Sequence, residues 1–248
     1  MSKVIILSLL FCLTLFPLTN IAVLIMLIVL EGLDGAGKST QIDLLRGYFE
    51  ERGKEVKFLH FPRYEAPVYG HLIARFLRGE LGGIEEVHPS LIALLFAGDR
   101  GDAAPQIREW LENGFIVILD RYLYSNIAFQ CAKVKEKSDV VELRNWIFEA
   151  EFGHFSIPKP DINLFLDVPL SFVDSKLNGG RSGEDRDYLK GARDIHEESI
   201  KFQERVREVY ISECEKKEGL ERVDCSSEEG EMLPPEEIFR RIKEKIVI

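Results

Sequence analysis

The sequence predicts an α/β domain with one parallel β-sheet and helices on both of its faces. Short apolar runs alternate with segments whose hydrophobic residues recur at helical spacing, from residue 26 to the end of the chain. Two of these runs, Phe115–Asp120 and Ile162–Asp167, are almost continuously apolar, as expected of strands that are covered on both faces. At 248 residues and 46% hydrophobic content, one such domain is expected, with two smaller domains as the alternative.

The first strand and the first helix enclose a glycine-rich loop. Met26–Leu30 is the apolar run, and Gln41–Gly53 carries its large apolar residues at helical spacing. Between them, residues 31–40 read EGLDGAGKST, which completes the pattern GxxxxGK[ST] without a mismatch. A strand, this loop and then a helix is the context in which the pattern binds nucleotide phosphates. An ordinary strand-to-helix turn is the alternative interpretation.

The residue types in this loop suit phosphate binding. Glycines let the loop curl so that backbone N–H groups point inward, and the positive end of the helix dipole lies beside them. Lys38 is expected to reach the outer phosphates, and the Ser39 hydroxyl is expected to hold Mg²⁺. The predicted nucleotide-binding residues are Gly32, Leu33, Asp34, Gly35, Ala36, Gly37, Lys38, Ser39 and Thr40.

A second loop is predicted at the same edge of the sheet. The alternating residues Glu55–Phe61 predict a strand that ends at Pro62. The loop Phe61–Tyr64 should then lie at the carboxyl edge of the sheet, where ligands of open α/β folds collect. Arg63 in this loop is either a fork for a phosphate group or a surface charge.

Two helices and a buried strand follow. The helices are predicted over Val68–Leu77 and Pro89–Asn113, and the run from Phe115 closes on the carboxylate of Asp120. A carboxylate at this position is the usual second support for Mg²⁺ in phosphate-loop enzymes. Directly beyond it lies a cluster that is too polar for a plain connector. Its members are Arg121, Tyr122, Ser125, Asn126, Phe129 and Gln130.

The second half of the chain continues the alternation. Ser138–Phe152 predicts an amphipathic helix, and Pro169 can open another helix after the strand at 162–167. Residues 178–190 are rich in glycine and charge and include Arg181 and Arg186, so they suit either a mobile lid or a solvated loop. The last predicted elements are a helix at 195–217, a strand at 220–225 and a helix at 234–247.

Composition excludes some classes of function. The net charge of −10 argues against a nucleic-acid-binding surface, and no basic run offers a local exception. The four cysteines show neither CxxC pairing nor the spacing of metal ligands, so we expect free thiols in a reducing compartment. The five histidines are scattered and form no recognisable set of ligands.

Residues 1–25 do not fit this pattern, because the run Val4–Leu18 resembles the hydrophobic region of a signal peptide. Extended to Leu30, it approaches the length that spans a membrane. A secretory signal would place a nucleotide enzyme where its nucleotide is scarce, and an anchor would merge into the first strand without a linker. We therefore favour a third interpretation, in which translation starts at Met26 and residues 1–25 are an upstream extension that was assigned to the protein in error. Contact with a membrane is expected only if those residues are expressed.

From Met26 onward, the chain closely resembles a thymidylate kinase of the bacterial kind. The resemblance rests on five motifs in the same order and spacing, which are GLDGAGKST, FPRY, FAGDR, DRYLYSN and KPDINLFLDVP. It implies a three-layer nucleoside monophosphate kinase fold with a five-stranded parallel sheet over residues 26–248 and a lid near residues 178–190. It also implies a cytoplasmic homodimer that uses ATP and Mg²⁺ to phosphorylate dTMP to dTDP, without a nucleic-acid partner.

The resemblance also assigns roles to residues at matching positions. Lys38 and Ser39 would serve ATP and Mg²⁺, Asp120 would support the metal, and Asp34 would lie by the acceptor sugar and phosphates. The remaining substrate-binding residues would be Pro62, Arg63, Tyr64, Phe96, Arg100, Arg121, Ser125, Asn126 and Phe129.

Among these, the acceptor phosphate would be held by Arg63 and Arg121, and thymine would stack on Phe96 with Pro62 near its methyl group. Arg100 and Asn126 would address the polar edge of the base. Phe129 would stand against the sugar. These residue types suit the roles, because guanidinium groups match phosphate geometry and an apolar wall disfavours a hydroxyl group that it cannot bond.

The resemblance further implies a catalytic cation from the lid. One branch of the family has an arginine in the phosphate loop at the position of Gly35, and this chain lacks it. The bacterial branch uses lid arginines instead, which makes Arg181 and Arg186 the candidates together with Arg121. A cation delivered on closure would stabilise the transition state more than the ground state.

Two other functions remain as alternatives. Another nucleotide kinase would share the phosphate loop and the lid, but it has no reason to reproduce the FPRY, FAGDR and DRYLYSN motifs together. A nucleotide-driven switch or membrane-tethered ATPase would fit the hydrophobic start. The sequence lacks the NKxD motif that reads guanine, and such a protein would leave the acceptor-site residues unexplained.

Overall fold

The computed structural model describes residues 26–178, 184–190, 194–196 and 199–246. The hydrophobic segment 1–25 and Arg181 lie outside the described residues, so the expectations for them remain predictions. None of the helices in the described part of the chain combines the length and hydropathy needed to cross a bilayer.

Five parallel strands form the single sheet, in the order β2-β3-β1-β4-β5. The strands are β1 (Met26–Gly32), β2 (Val56–His60), β3 (Ile116–Asp120), β4 (Ile162–Asp167) and β5 (Glu221–Asp224). Every residue of the central strand β1 and of its neighbour β3 is buried. This confirms the five-stranded parallel sheet and explains why both runs lack polar alternation.

Eight α-helices occur in the described chain: α1 (Lys38–Glu50), α2 (Tyr69–Leu77), α3 (Pro89–Glu112), α4 (Leu123–Cys131), α5 (Lys137–Phe148), α6 (Leu170–Asn178), α7 (Ile200–Lys216) and α8 (Pro235–Lys245). A π-helical segment, Glu149–His154, and a 3₁₀ segment, Glu184–Leu189, complete the described elements. Helices α1 and α8 pack together, and α4 packs against both α3 and α7.

Three helices differ from the sequence-based expectation. Four members of the polar cluster after β3 belong to α4, while Arg121 and Tyr122 precede it. The sequence did not reveal this helix, because all of its residues are buried and no amphipathic stripe exists. Helix α5 ends at Phe148 and continues in the π-helical segment instead of as α-helix to residue 152. Helix α7 starts at Ile200 instead of residue 195, and residues 194–196 are not helical.

The sheet register brings the two predicted loops together. In β2 and β3, His60 pairs with Asp120, and Asp120 also pairs with Leu30 of β1. The phosphate loop, the loop after β2 and the start of α4 therefore leave the sheet at the same carboxyl edge.

Gly98 in α3 permits the close approach of Tyr69 in α2. A Cβ atom at Gly98 would lie 2.2 Å from Cε1 of the Tyr69 ring. Real Cβ atoms do not approach a ring so closely, so only glycine lets the two helices pack in this way.

We predict that Gly98→Ala destabilises the protein by about 1–3 kcal/mol, because the added methyl group overpacks the contact with Tyr69. The matched control is Gly47→Ala in α1, where a Cβ would meet nothing within 4 Å. There the helix propensity of alanine should add roughly 0.5–1 kcal/mol of stability. Urea unfolding of both variants tests the pair, and a Gly98→Ala protein as stable as the parent would contradict the packing argument.

Candidate active site

The phosphate loop has the curled backbone that its glycines permit. Gly35 and Gly37 have φ angles of 76° and 77°, in the left-handed region that favours glycine. The amide of Ala36 donates to the carbonyl oxygen of Leu33 at 3.3 Å, which closes the turn. Helix α1 begins directly after Gly37, so its unpaired N–H groups face the space above the loop.

A cavity with an empty volume of about 1300 Å³ lies beside this loop. Its lining includes every residue from Asp34 to Thr40. The lining also contains His60 of β2, Asp120 of β3, Lys176 of α6 and Arg121 from the connection between β3 and α4. Of the predicted nucleotide-binding residues, Gly32 and Leu33 lie outside this lining.

Lys38 and Asp120 face each other in this cavity. The Nζ atom of Lys38 donates to the carbonyl oxygen of Leu33 at 3.2 Å and lies 3.7 Å from Oδ1 of Asp120. His60 Nδ1 lies 3.2 Å from the other carboxylate oxygen. Burial opposes ionisation of Asp120, but the charge of Lys38 and the contact with His60 hold its pKa below the usual range.

This arrangement suits a hard divalent cation. Oδ1 of Asp120 has no hydrogen-bond partner among the described residues, and Ser39 lies exposed on the same cavity. Within the described chain, no group of three or more His, Cys, Asp or Glu side chains is arranged to hold a metal ion. A Mg²⁺ ion here would therefore depend on Ser39, Asp120, nucleotide phosphates and water, as is common for Mg²⁺.

A buried glutamate connects the phosphate loop to α4 and α7. Glu31, the residue before the loop, is 0% exposed. Its Oε1 accepts from the amides of Tyr122 and Ser125 at 3.0 and 3.2 Å. Its Oε2 accepts from the hydroxyl groups of Ser125 and Tyr210 at 2.5 and 3.1 Å. Burial raises the pKa of Glu31, and these hydrogen bonds together with Arg121 counteract part of the shift.

Arg121 lies where the phosphate loop meets a second cavity. Its Nη2 donates to Oδ1 of Asp34 at 2.8 Å, and its Nη1 donates to the carbonyl oxygen of Gly32 at 2.8 Å. Gln203 of α7 approaches the other oxygen of Asp34 at 3.3 Å. The φ angle of Arg121 is 69°, a strained conformation for a residue with a Cβ. Its side chain lines both cavities.

The second cavity has an empty volume of about 450 Å³. It gathers eight of the nine predicted substrate-binding residues, namely Pro62, Tyr64, Phe96, Arg100, Arg121, Ser125, Asn126 and Phe129. Its lining further contains Asp34, Phe61, Leu77, Gln130, Asp194 and His196.

Arg63 is the predicted residue that does not line this cavity. Its Nε donates to Oδ1 of Asp99 at 2.9 Å, and its Nη2 donates to Oδ2 of Asp102 at 2.7 Å. The amide of Arg63 also donates to Asp99. In this structure the guanidinium group therefore holds the FPRY loop against α3.

Arg100, which lines the second cavity, forms a buried ion pair with Glu151. Arg100 donates through Nε and Nη2 to the two carboxylate oxygens of Glu151, both at 2.6 Å. Both residues are almost fully buried. Asn126 Nδ2 donates to Oε1 of Glu151 at 2.8 Å and to the carbonyl oxygen of Ala93 at 3.0 Å. The sequence did not point to Glu151, which lies in the π-helical segment outside every motif.

Three side chains of this cavity carry buried polar atoms without hydrogen-bond partners in the described structure. They are Oδ1 of Asn126, Nε2 of Gln130 and Nε2 of His196. Burial keeps the pKa of His196 well below its ordinary value, so its imidazole is neutral. Native proteins rarely leave buried polar groups unpaired, so these atoms are candidate contacts for a polar ligand.

The described part of the predicted lid contacts the FPRY loop. The Tyr188 ring stacks on the Tyr64 ring with centroids 3.6 Å apart, and its hydroxyl group donates to Asp194 at 2.5 Å. Of the predicted lid arginines, Arg186 lies in the 3₁₀ segment, and only its backbone is described. Lys176 at the end of α6 approaches the phosphate loop, because a Cβ at Gly35 would lie 3.1 Å from its Cβ.

The chain is similar in sequence to known proteins. The family model described as thymidylate kinase matches residues 30–234. The thymidylate kinase of Mycobacterium tuberculosis is 37% identical over 186 residues, which cover 75% of this chain and 84% of that protein. A probable thymidylate kinase of Thermococcus kodakarensis is 36% identical over 196 residues, covering 77% and 84% of the two chains.

The fold is also similar to a solved structure. The thymidylate kinase of Candida albicans superposes with a TM-score of 0.67 at 26% identity. The match covers 88% of this chain and 89% of that one.

We predict that Glu151→Gln destabilises the protein by about 3–5 kcal/mol, because it leaves the Arg100 charge buried without its counter-charge. Glu142→Gln on the exposed face of α5 is the control and should change stability by less than about 0.5 kcal/mol. Denaturant unfolding measures both. Equal midpoints for the two variants would contradict the assignment of Glu151 as the obligatory partner of Arg100.

Proposed function

The chain belongs to the thymidylate kinase family, and we propose that it transfers the γ-phosphoryl group of ATP, with Mg²⁺, onto dTMP bound in the second cavity. Members of this family phosphorylate dTMP to dTDP, and the chain is accordingly a dTMP kinase. The donor, the metal and the roles of individual residues are our proposals.

The proposed preference for thymine rests on the hydrogen-bonding groups of Arg100, Asn126 and Gln130, which line one wall of the second cavity. The contacts of Asn126 Nδ2 with Glu151 and Ala93 fix its amide, so that Oδ1 is left as an acceptor. Arg100 uses Nε and Nη2 for Glu151, and this leaves Nη1 to donate. Gln130, one helical turn from Asn126, has its Nε2 donor unpaired among the described groups.

Together these side chains offer a donor, an acceptor and a donor. Thymine presents an acceptor, a donor and an acceptor at O4, N3–H and O2, so its edge matches this wall. Cytosine presents a donor at N4 and an acceptor at N3. The N4 donor would face the donor of Arg100, and the N3 acceptor would face the acceptor of Asn126. Unpaired polar groups in a buried site raise the free energy of the complex, so the wall favours thymine.

The rest of the acceptor is assigned to the nearby aromatic residues. Phe96 would stack on the base with Pro62 near its methyl group. Phe129 lies beside Arg121, whose guanidinium carbon is 5.1 Å from the ring centroid. The sugar against Phe129 would thus be adjacent to a phosphate held by Arg121, with Asp34 fixing that guanidinium group.

The donor nucleotide is assigned to the cavity of the phosphate loop. Backbone N–H groups of residues 35–40 and the side chain of Lys38 would hold its phosphates. Ser39 and Asp120 would hold Mg²⁺, which neutralises charge on the transferred phosphoryl group when bound. Since Asp34, Tyr64 and Arg121 line both cavities, the two nucleotides would meet there end to end.

Cations from the lid side would complete the charge neutralisation. Lys176 lines the donor cavity and packs over Gly35, the loop position at which one branch of the family has arginine. Arg181 and Arg186 remain the lid candidates predicted from the sequence. A lid that closes over ATP would also exclude water.

We further propose that the chain forms a homodimer through α3 and α5. Four large apolar side chains are exposed on these helices, namely Leu91, Leu94, Val141 and Trp146. Leu91, Leu94 and Trp146 line one groove, and an exposed apolar surface of this kind is typical of a subunit interface. Sedimentation should give a dimer for the parent and a monomer for Leu91→Glu/Trp146→Glu, and a monomeric parent would refute this proposal.

A cytoplasmic location fits this activity. The cysteines in the described part of the chain, Cys131, Cys214 and Cys225, are free thiols, as expected in a reducing compartment. Fractionation of cells that express the native protein tests the location, and recovery in the membrane fraction would contradict it.

The proposed activity is tested by a phosphorylation assay with ATP across the nucleoside monophosphates. We predict kcat/KM for dTMP to exceed that for dCMP by at least about 10²-fold, because two hydrogen-bonding groups are mismatched. dUMP, which lacks one buried methyl group, should lose only several-fold, or on the order of 1 kcal/mol. Equal turnover of dTMP and dCMP would favour another nucleotide kinase.

We predict that Asp120→Asn lowers kcat and weakens Mg²⁺ use, while the affinity for dTMP stays close to that of the parent. Asp43→Asn is the matched control, because Asp43 is an exposed carboxylate on the same cavity without the contact to Lys38. Binding of Mn²⁺ with an ATP analogue supplies a readout that is independent of turnover. A variant that loses only dTMP affinity would contradict this role.

For the lid side, we predict that Arg186→Ala, and independently Lys176→Ala, lower kcat by about 10²-fold with little change in the KM for dTMP. Arg181→Ala either does the same or mainly raises the KM for ATP. Lys201→Ala on the exposed start of α7 is the control. If the single and combined variants all turn over at the parental rate, the catalytic cation lies elsewhere, with Arg121 as the next candidate.

A further inference from the structure

A lysine outside every motif contacts Gln130, one of the residues that line the second cavity, although the lysine itself does not line it. Lys133 lies in the turn after α4, and its Nζ donates to Oε1 of Gln130 at 2.9 Å. The same ammonium group lies 5.0 Å from the centroid of the Phe76 ring. Gln130 itself is 1% exposed. The cation is thus held against an aromatic face and a buried amide.

This contact decides which end of the Gln130 amide faces the cavity. An ammonium group has only donors, so it accepts no hydrogen bond from an amide NH₂ group and pairs only with the oxygen. With Oε1 turned to Lys133, Nε2 is left as the donor on the cavity side. Within the described structure, the Lys133 contact is the hydrogen bond that distinguishes the two ends of this amide.

We propose that Lys133 is a positioning residue for substrate specificity, which holds the Gln130 amide so that its NH₂ group is presented to a carbonyl oxygen of the pyrimidine. The proposal rests on the proposed function, since it needs dTMP in the second cavity. It makes the donor end of the wall dependent on a residue that does not line that cavity.

Asn126 shows why a separate device is needed for Gln130. The Asn126 amide is fixed by two acceptors of the protein, the Glu151 carboxylate and the Ala93 carbonyl group. Gln130 lacks such acceptors within the described chain, so its orientation depends on the donor at its other end. Without that donor the amide can rotate and present an oxygen to the carbonyl of the base, which is repulsive.

The test is a double-mutant cycle on the dissociation constant of dTMP, measured by calorimetry without turnover. Gln130→Met removes the contact to the base, and Lys133→Met removes the device that orients it. We expect each to weaken binding by about tenfold. The double variant should be no weaker than Gln130→Met alone, because Lys133 acts only through Gln130. Lys133→Arg should restore parental binding, since the guanidinium group is also a pure donor.

Lys135→Met, an exposed lysine two residues further along, is the matched control and should bind like the parent. Additive losses in the cycle, or parental binding by Lys133→Met, would overturn the proposal while leaving dTMP kinase activity intact. Failure of the parent itself to bind dTMP would instead overturn the proposed function and this inference with it.

A pH series separates positioning from a purely structural effect. Burial lowers the pKa of Lys133 to about 7, with Asp194 opposing the shift. The neutral amine can also accept a hydrogen bond, so the amide is fixed below this pKa and loses its fixed orientation as the pH rises through it. Between about pH 6 and 8.5, dTMP binding by the parent should weaken relative to Lys133→Arg. A constant ratio would contradict the proposal.

The other charged or ionisable groups near Lys133 are present in both proteins, so the ratio isolates the change at residue 133. They are Asp194 and His196 on the lid side and His88, Asp139 and Glu142 across the neighbouring groove.

Discussion

The proposed acceptor site depends on a carboxylate that is shielded from water. Glu151 is 0% exposed, and an ionised group in such a place is tolerated only when its oxygens are fully paired. Arg100 and Asn126 supply that pairing, and in doing so they lose their rotational freedom. The groups that they have left over therefore face the cavity in fixed directions before any ligand binds. The buried ion pair thus fixes the hydrogen-bonding groups in advance, and in the proposed function this would select one edge of a base.

A second buried carboxylate couples this wall to the phosphate loop. Glu31, next to the last residue of the central strand, accepts hydrogen bonds from the start of α4 and from the hydroxyl group of Tyr210. Helix α4 in turn carries Asn126 and Gln130, while Arg121 stands just before it. In the proposed function, this one short helix would therefore help to position both the donor phosphates and the acceptor base. This explains why the helix is buried along its whole length although it is rich in polar residues.

Sequence patterns predicted the parts of the molecule that are determined locally. The five strands and the phosphate loop follow from apolar runs and glycine spacing, which depend only on neighbouring residues. Helix α4 was missed because it is buried on all sides. Glu151, Lys133 and Lys176 were not identified, and Gln130 was singled out without a role, because these roles depend on side-chain orientation across distant elements. Arg63 was assigned to a phosphate from the family resemblance, whereas its contacts here are with Asp99 and Asp102.

The central claim is that the oxygen of Asn126 accepts the N3–H group of thymine inside a closed, preorganised wall. It is tested most directly by proton NMR of ¹⁵N3-labelled dTMP bound to the protein. The account predicts a downfield imino signal that exchanges slowly with water in the parent complex. In Asn126→Ala, with dTMP at saturating concentration, that signal should broaden through exchange. An imino proton that exchanges as fast in the parent complex as in free dTMP would contradict the account.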